Sequence, residues 1–346
     1  MRTRGYVAHA AQTELVPYEF DRRDLRPRDV ALRILYAGIC HSDIHQVREE
    51  WGRSLFPMVP GHEIIGEVTE VGADATKFRV GERIGVGVFV DSCRHCERCT
   101  RGLEQDCLDG MTPTYNGYER DGATLAFGGY SRDFVVDEDY AVHVAQSLDP
   151  AGAAPLLCAG ITLYSPLRHW KVGAGSRVAV IGLGGLGHMG VQFSHALGAE
   201  TTVFSHSPNK ADDAVALGAD HFVDTSDPTV LRGYRDRFDL VINSTSADID
   251  LNPYVRMLDV DGTLVIVGLS GVPVALQQEH LTSARRSVSG SQIGGVAELQ
   301  EMMDFCATHD ITARVELTDA QGINRAWDRT VASDVKYRFV IDASTF

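Results

Sequence analysis

Arg177-Val-Ala-Val-Ile181-Gly182-Leu183-Gly184-Gly185-Leu186-Gly187 is the stretch whose reading decides the fold. A short apolar run reads as a buried strand, a glycine-rich turn follows it at once, and the pattern from Leu186 to Leu197 predicts a helix. In such a turn Gly182 bends the chain sharply and Gly184 lets the backbone approach a pyrophosphate. Gly187 lets the helix pack against the strand. The phosphates would rest on the helix N-terminus, where free N–H groups and the helix dipole favour anions. Glycine-rich turns are common in a chain with 34 glycines. The position of this one between strand and helix is what makes the dinucleotide reading specific.

Downstream the alternation continues. Thr201–Phe204 reads as a second strand, Asn209–Leu217 as a second helix, and Phe238–Ile242 and Thr263–Val267 as further strands. Strands alternating with helices imply βαβ units and a parallel, doubly wound sheet. After about residue 290 come a helix over Val296–Ala307, short strands, and a helix near Gln321–Thr330. Upstream, residues 1 to about 150 have another texture, of short β-like runs broken by glycine. Val30, Leu32, Ile34 and Tyr36 alternate toward one face until Gly38; Ile64–Val71 and Ile84–Val90 follow. That spacing predicts a small Greek-key-like β domain. The expected fold class is therefore α/β in two domains, which a length of 346 residues also favours.

The end of the second strand selects the cofactor. An NAD site usually carries an acid there for the ribose 2′-hydroxyl. The segment Phe204-Ser205-His206-Ser207-Pro208-Asn209-Lys210 has none. Ser205 and Ser207 suit a 2′-phosphate as hydrogen-bond donors and Lys210 supplies charge, so NADP is expected. The plainer reading of the same residues is a Ser-Pro helix start with a solvated lysine.

Cys93-x2-Cys96-x2-Cys99-x7-Cys107 gathers four soft ligands within fifteen residues, a spacing that can close a tetrahedron around Zn²⁺. An iron–sulfur motif begins the same way but continues x3-Cys-Pro, whereas the last gap here is seven and Leu108 follows. With four sulfurs bound, such a zinc does no chemistry. A second candidate set is dispersed: Cys40 after a strand at a glycine turn, His62 after Gly61, and Cys158 between the two textures. Two cysteines and a histidine with an open fourth position make a catalytic zinc site. Taken singly, Cys158 could be core and His62 could cap a turn.

A formal charge of −15 argues against a nucleic-acid or anionic-membrane surface, so any phosphate must be held locally. No apolar run reaches membrane-spanning length and the N-terminus leads into no signal-like segment, which gives a cytoplasmic expectation. Seven cysteines then read as ligands, reactive thiols or core residues rather than disulfides.

Taken together these residues resemble the zinc-containing medium-chain dehydrogenases/reductases, specifically the cinnamyl-alcohol-dehydrogenase-like branch with its bacterial NADP-dependent aldehyde reductases. The resemblance is carried by Gly61-His-Glu-x2-Gly66-x5-Gly72, Gly38-Ile-Cys-His-Ser-Asp-Ile-His45, the four-cysteine lobe, the glycine loop through His188, Ser205-x-Ser-x2-Lys210, Gly290-Ser-Gln-Ile-Gly294 and Lys336-Tyr-Arg-Phe-Val-Ile-Asp342. It spans essentially the whole chain. It implies a GroES-like catalytic domain over residues 1–152, a Rossmann domain over 153–290, and a return to the catalytic domain over 291–346. It further implies that Cys40, His62 and Cys158 bind the catalytic zinc, with Glu63 able to approach the metal and Asp43 orienting a ligand. Ser42 and His45 would form a proton relay. His41, Thr162, His206, Ser291 and Ile293 would join the glycine loop and Ser205, Ser207 and Lys210 in contacting NADP(H). Trp51 would line the substrate pocket, although a tryptophan is equally a core residue. The implied activity is hydride transfer between NADP(H) and a primary alcohol or aldehyde, aromatic and medium-chain aldehydes included, by a homodimer holding a catalytic and a structural zinc. An NAD-linked polyol or short-chain alcohol dehydrogenase and a non-catalytic NADPH-binding protein are the competing readings; no ligand or relay residue is missing, as the latter would require.

Overall fold

The alternating run that opens at Val30 forms the ten-residue strand Asp29–Gly38, the spine of a seven-stranded sheet in a computed structural model that describes residues 1–346. Ile64–Val71 pairs antiparallel along one edge, followed by Arg83–Val86 and then Ala141–His143. The other edge is shared. Asp133–Asp137 pairs with the first half of the spine and Arg338–Asp342 with its last residues, and Val315–Thr318 lies parallel beyond. Val30, Leu32, Ile34, Ile64, Ile65, Val86 and Val340 are each exposed by 2% or less. Burial of each such side chain contributes about 1.5–3 kcal/mol.

These strands belong to one of two compact units, Met1–Ile161 with Gly294–Phe346. The expected strand over Ile84–Val90 is broken in two. Arg83–Val86 stays in the sheet, but the backbone at Gly87 and Val88 turns to Thr114, whose hydroxyl donates to Gly87 O and whose N–H donates to Val88 O. Phe89–Asp91 then pairs with Thr112–Pro113. The N-terminal hairpin of Arg2–Val7 and Val16–Asp21 escapes a reading by hydrophobic alternation, because its inward positions are poor in apolar side chains: Thr3 and Gly5 share the buried face with Val7, and Phe20 alone is buried in the second strand.

The second unit is Thr162–Ile293. Its six strands are all parallel, in the order His221–Asp224, Glu200–Ser205, Arg177–Ile181, Phe238–Asn243, Leu258–Ile266, Ser287–Gly290. Chain order therefore reverses at Arg177–Ile181, the topological switch point of a doubly wound sheet, and it is the glycine loop that leaves this strand. The fold class expected from the sequence, a β-rich domain plus a parallel doubly wound one, is met. The expected strand at Thr263 begins earlier, because Leu258 already pairs with Phe238 across a register shift. The helix expected from Asn209 opens as a 3-10 turn, Pro208–Lys210, and becomes α-helical over Ala211–Ala216. No helix is long and apolar enough to cross a membrane.

Candidate active site

Each dispersed ligand candidate lies just outside a regular element, two of them at the adjoining ends of the paired interior strands Asp29–Gly38 and Ile64–Val71. Cys40 follows the spine strand and occupies the N-cap of the helix His41–Val47 in extended conformation. His62 follows Gly61, whose φ of +106° suits glycine; a Cβ there would stand 2.5 Å from the Tyr130 ring. Cys158 ends the 3-10 turn Ala154–Leu157 and precedes the helix Ala159–His169. One ligand atom from each of Cys40, His62, Glu63 and Cys158 lies within 4.8 Å of the others, and the two sulfurs stand 4.0 Å apart. All four residues are buried.

Asp43 sets the direction of the imidazole. One carboxylate oxygen accepts from His62 Nδ1 at 3.0 Å and from the Gly61 N–H at 3.1 Å. The other accepts from the Cys40 N–H at 3.0 Å and the Tyr130 hydroxyl at 2.9 Å. With Nδ1 bound, the lone pair is left on Nε2, which is buried and has no hydrogen-bond partner. Glu63 Oε1 pairs with Arg338 Nη2 while Oε2 is buried without a partner. Two sulfurs, an imidazole nitrogen without a partner and a neighbouring carboxylate oxygen form a donor set that fits tetrahedral Zn²⁺.

The electrostatics agree. The hydrogen bond from Cys158 holds the Cys40 thiol well below its usual range, aided by Arg338 and His62, and the donating Cys158 is correspondingly raised. Burial lifts the Glu63 carboxyl to about 7 against the pull of Arg338. Arg338 remains a cation: burial lowers its pKa, but Glu63 and the two thiols more than restore it.

The four-cysteine lobe is equally well formed. Its sulfurs lie within 4.8 Å of one another, Cys93 and Cys99 at 3.8 Å. Backbone N–H groups point at sulfur, from Cys96 to Cys93 at 3.3 Å, Cys99 to Cys96 at 3.5 Å and Cys93 to Cys107 at 3.4 Å. The N–H groups of Leu108 and Cys99 pull the Cys96 thiol down to about 6. All seven cysteines are free thiols.

In the second unit the three glycines of the loop differ in their surroundings. Gly182 has φ of +87°; a Cβ on Gly187 would stand 1.9 Å from Gly182 O; a Cβ on Gly184 would meet nothing within 4 Å, leaving room for a ligand. Lys210 Nζ donates to Leu183 O at 2.9 Å, which brings the lysine to the glycine loop itself. Ser205 Oγ accepts the Ser207 N–H at 3.2 Å, and His206 is exposed. Thr162 is buried one turn beyond Cys158; Ser291 N–H donates to Ile266 O, and Ile293 is buried with φ of +40°.

Ser42 Oγ lies 3.5 Å from Cys40 Sγ. His45 Nδ1 pairs with Glu50, and its ring stacks on Trp51 at 4.7 Å and faces His41 at 5.9 Å. Trp51 is 44% exposed, so it is no core residue. Reasoning from sequence missed Arg338, Tyr130 and Glu50. Arg338 stands within the quoted Lys336–Asp342 stretch, but nothing local announces its partner.

Residues 26–146 match the alcohol dehydrogenase GroES-like domain and residues 185–308 the zinc-binding dehydrogenase domain. The chain is 54% identical over 340 residues to the NADP-dependent alcohol dehydrogenase C of Mycobacterium tuberculosis, covering 98% of both chains. It is 45% identical to the aldehyde reductase YahK of Escherichia coli, over 100% of this chain and 99% of that one. Among solved structures it superposes on a cinnamyl alcohol dehydrogenase of Sorghum bicolor with a TM-score of 0.96 at 41% identity, covering 99% of this chain and 98% of the other. A Helicobacter pylori homologue complexed with NADP(H) gives 0.93 at 39% identity, with the same coverage.

Proposed function

Because the chain belongs to the zinc-binding alcohol dehydrogenase family, with its GroES-like and zinc-binding dehydrogenase domains both matched, we propose that it moves hydride between NADP(H) and a primary alcohol or aldehyde. The observation that carries this reading is the convergence of Cys40, His62 and Cys158 around a buried imidazole nitrogen that has no protein partner. When bound, zinc supplies Lewis acidity toward the carbonyl oxygen and NADPH supplies the hydride.

The chain's own residues supply the rest. Asp43 fixes the His62 tautomer, and Arg338 balances the charge of Glu63 and the thiolates. The Ser42 hydroxyl, beside Cys40, holds the proton exchanged with the substrate oxygen. His45, with Nδ1 held by Glu50, keeps Nε2 for passing that proton to solvent. His41, Thr162, Ser291 and Ile293 complete the cofactor contacts in this reading. Trp51 offers an exposed aromatic face beside His45, which supports acceptance of aromatic and medium-chain aldehydes.

Ser205, Ser207 and Lys210, with no acid between Phe204 and Lys210, support NADP over NAD. The Ser287–Gly290 strand ends its sheet with one edge unpaired, and Leu269, Val272 and Val274 are exposed, which supports a homodimer. Seven free thiols, six of them in two ligand sets, support residence in a reducing compartment such as the cytoplasm.

The test is NADPH oxidation by the zinc-loaded protein against a panel of aliphatic and aromatic aldehydes, with metal analysis alongside. About two zinc per chain and turnover with NADPH in preference to NADH are expected. Zinc-replete protein that turns over no aldehyde overturns the reading.

A further inference from the structure

A zinc closed by four sulfurs does no chemistry, so the attachments of the lobe ask for another account. Within the unit Met1–Ile161 with Gly294–Phe346, the lobe meets the start of the helix Val296–His309. Glu104 Oε2 accepts the Val296 N–H at 3.2 Å, at the first helical residue, where the N-cap Gly295 has no side chain to offer. A carboxylate is favoured there by the hydrogen bond and by the helix dipole. Backbone meets backbone beside it: a Cβ on Gly295 would stand 1.9 Å from Gly102 O and 2.5 Å from Glu104 Oε2. Both lobe residues are tied to ligands. The Glu104 carbonyl accepts the Cys107 N–H at 3.1 Å and the Gly102 N–H donates to Cys99 O at 3.0 Å. Closing a metal on Cys99 and Cys107 therefore holds the backbone of Gly102 and Glu104, from which the Gly102 carbonyl and the Glu104 carboxylate reach the helix.

The helix carries that position to the other metal set. A Cβ on Gly160, two residues past Cys158, would stand 2.9 Å from Met302 Sδ. At Gly87 a Cβ would stand 3.0 Å from Leu157 O and 3.4 Å from Leu299 Cδ2. Gln300 clamps the helix flank to the His143 backbone with hydrogen bonds of 2.7 and 3.3 Å. At Gly295 main chain meets main chain, and at Gly160 and Gly87 the buried Met302 and Leu299 side chains abut glycine backbone that carries no side chain to yield, so a shift of the helix is passed on through close packing.

We propose that the four-cysteine lobe, acting through Glu104 and the helix Val296–His309, positions Cys158 for the catalytic metal. Glu104 is a positioning residue, and the lobe metal and the catalytic metal stabilise one another reciprocally. This rests on the two-zinc reading above.

The test uses holoenzyme with Co²⁺ exchanged into the catalytic site, whose thiolate-to-cobalt absorption reports that site alone, challenged with a chelator while the lobe keeps Zn²⁺. In Glu104→Ala the cobalt is expected to leave about tenfold faster than in the wild type, the scale of removing an outer support of a metal ligand, with lobe zinc retained. Glu104→Gln keeps an acceptor for the Val296 N–H and should fall between. Glu97→Ala, at an exposed carboxylate of the same lobe, should release cobalt at the wild-type rate. Wild-type release from Glu104→Ala with lobe zinc in place overturns the proposal, as does equal acceleration by Glu97→Ala. Should Glu104→Ala fail to fold, Glu104→Gln decides alone, and an unchanged rate there overturns it. A wild-type chain that binds fewer than two metals contradicts the two-zinc reading instead.

Discussion

The Tyr130 hydroxyl donates to Asp43 Oδ2 at 2.9 Å while the opposite oxygen of the same carboxylate receives His62 Nδ1 at 3.0 Å. A zinc ligand is thus aimed by a carboxylate that is itself aimed by a phenol from a distant segment. Tyr130→Phe removes one donor from a fully buried anion and leaves the packing intact. Catalytic zinc affinity is expected to fall by about tenfold and stability by about 1–3 kcal/mol. Competition with a chromophoric chelator, together with urea unfolding, measures both. Unchanged affinity would show that His62 keeps its direction without Tyr130.

Arg338 and Glu63 are a buried ion pair, with side chains 7% and 0% exposed. Removing one partner strands the other's charge, so Arg338→Met should cost about 3–5 kcal/mol. Glu63→Gln in the same chain should recover most of that loss, because neither charge then remains alone. Chemical denaturation of the two single variants and the double variant measures the coupling. If the double variant is no more stable than Arg338→Met, the pairing has been misjudged.

How far the sequence was legible followed from distance along the chain. The glycine loop and the four-cysteine lobe are local: turn, spacing and flanking strand all lie within a few residues, so their chemistry could be argued from the residues themselves. Cys40, His62 and Cys158 needed the family pattern, since strand pairing brings the first two together and the packing of the Ala154–Leu157 turn adds the third. The partners of those ligands were invisible for the same reason. Glu63 and Arg338 are 275 residues apart, Asp43 and Tyr130 are 87 apart, and neither Arg338 nor Tyr130 sits in a stretch whose composition hints at a site. The strand expected over Ile84–Val90 failed for a related reason, because the bonds that divert Gly87 and Val88 come from Thr114.

Tyr140, whose hydroxyl meets Ser92 beside the four-cysteine lobe, gives a signed pH dependence. Burial pushes its phenol up to about 12, against the hydrogen bond with Ser92 and the charge of Arg94. The folded state thus holds this proton more tightly than the unfolded chain does. Its contribution is complete below the ordinary tyrosine range near 10 and is lost as pH rises through about 12. Wild-type stability should therefore fall between pH 10 and 12 more steeply than that of Tyr140→Phe, by on the order of 2 kcal/mol across the window. Parallel unfolding curves at several alkaline pH values settle it; identical slopes would mean that the phenol is not protected.

Lys210 offers the sharpest test of cofactor choice. Its ammonium lies 2.9 Å from Leu183 O, within the glycine loop, and follows two serines at the end of Glu200–Ser205. If it serves a 2′-phosphate, Lys210→Ala removes a charge-assisted hydrogen bond that NADPH makes and NADH cannot. Such bonds contribute about 1.5–3 kcal/mol, or about 10–100-fold in affinity. If it serves only to close the loop through Leu183, both cofactors lose alike. Fluorescence titration of the variant with NADPH and NADH separates the two, and raising the salt concentration should erode NADPH binding by the wild type more than by the variant. A loss confined to NADPH places the lysine on the phosphate; equal losses assign it to the loop.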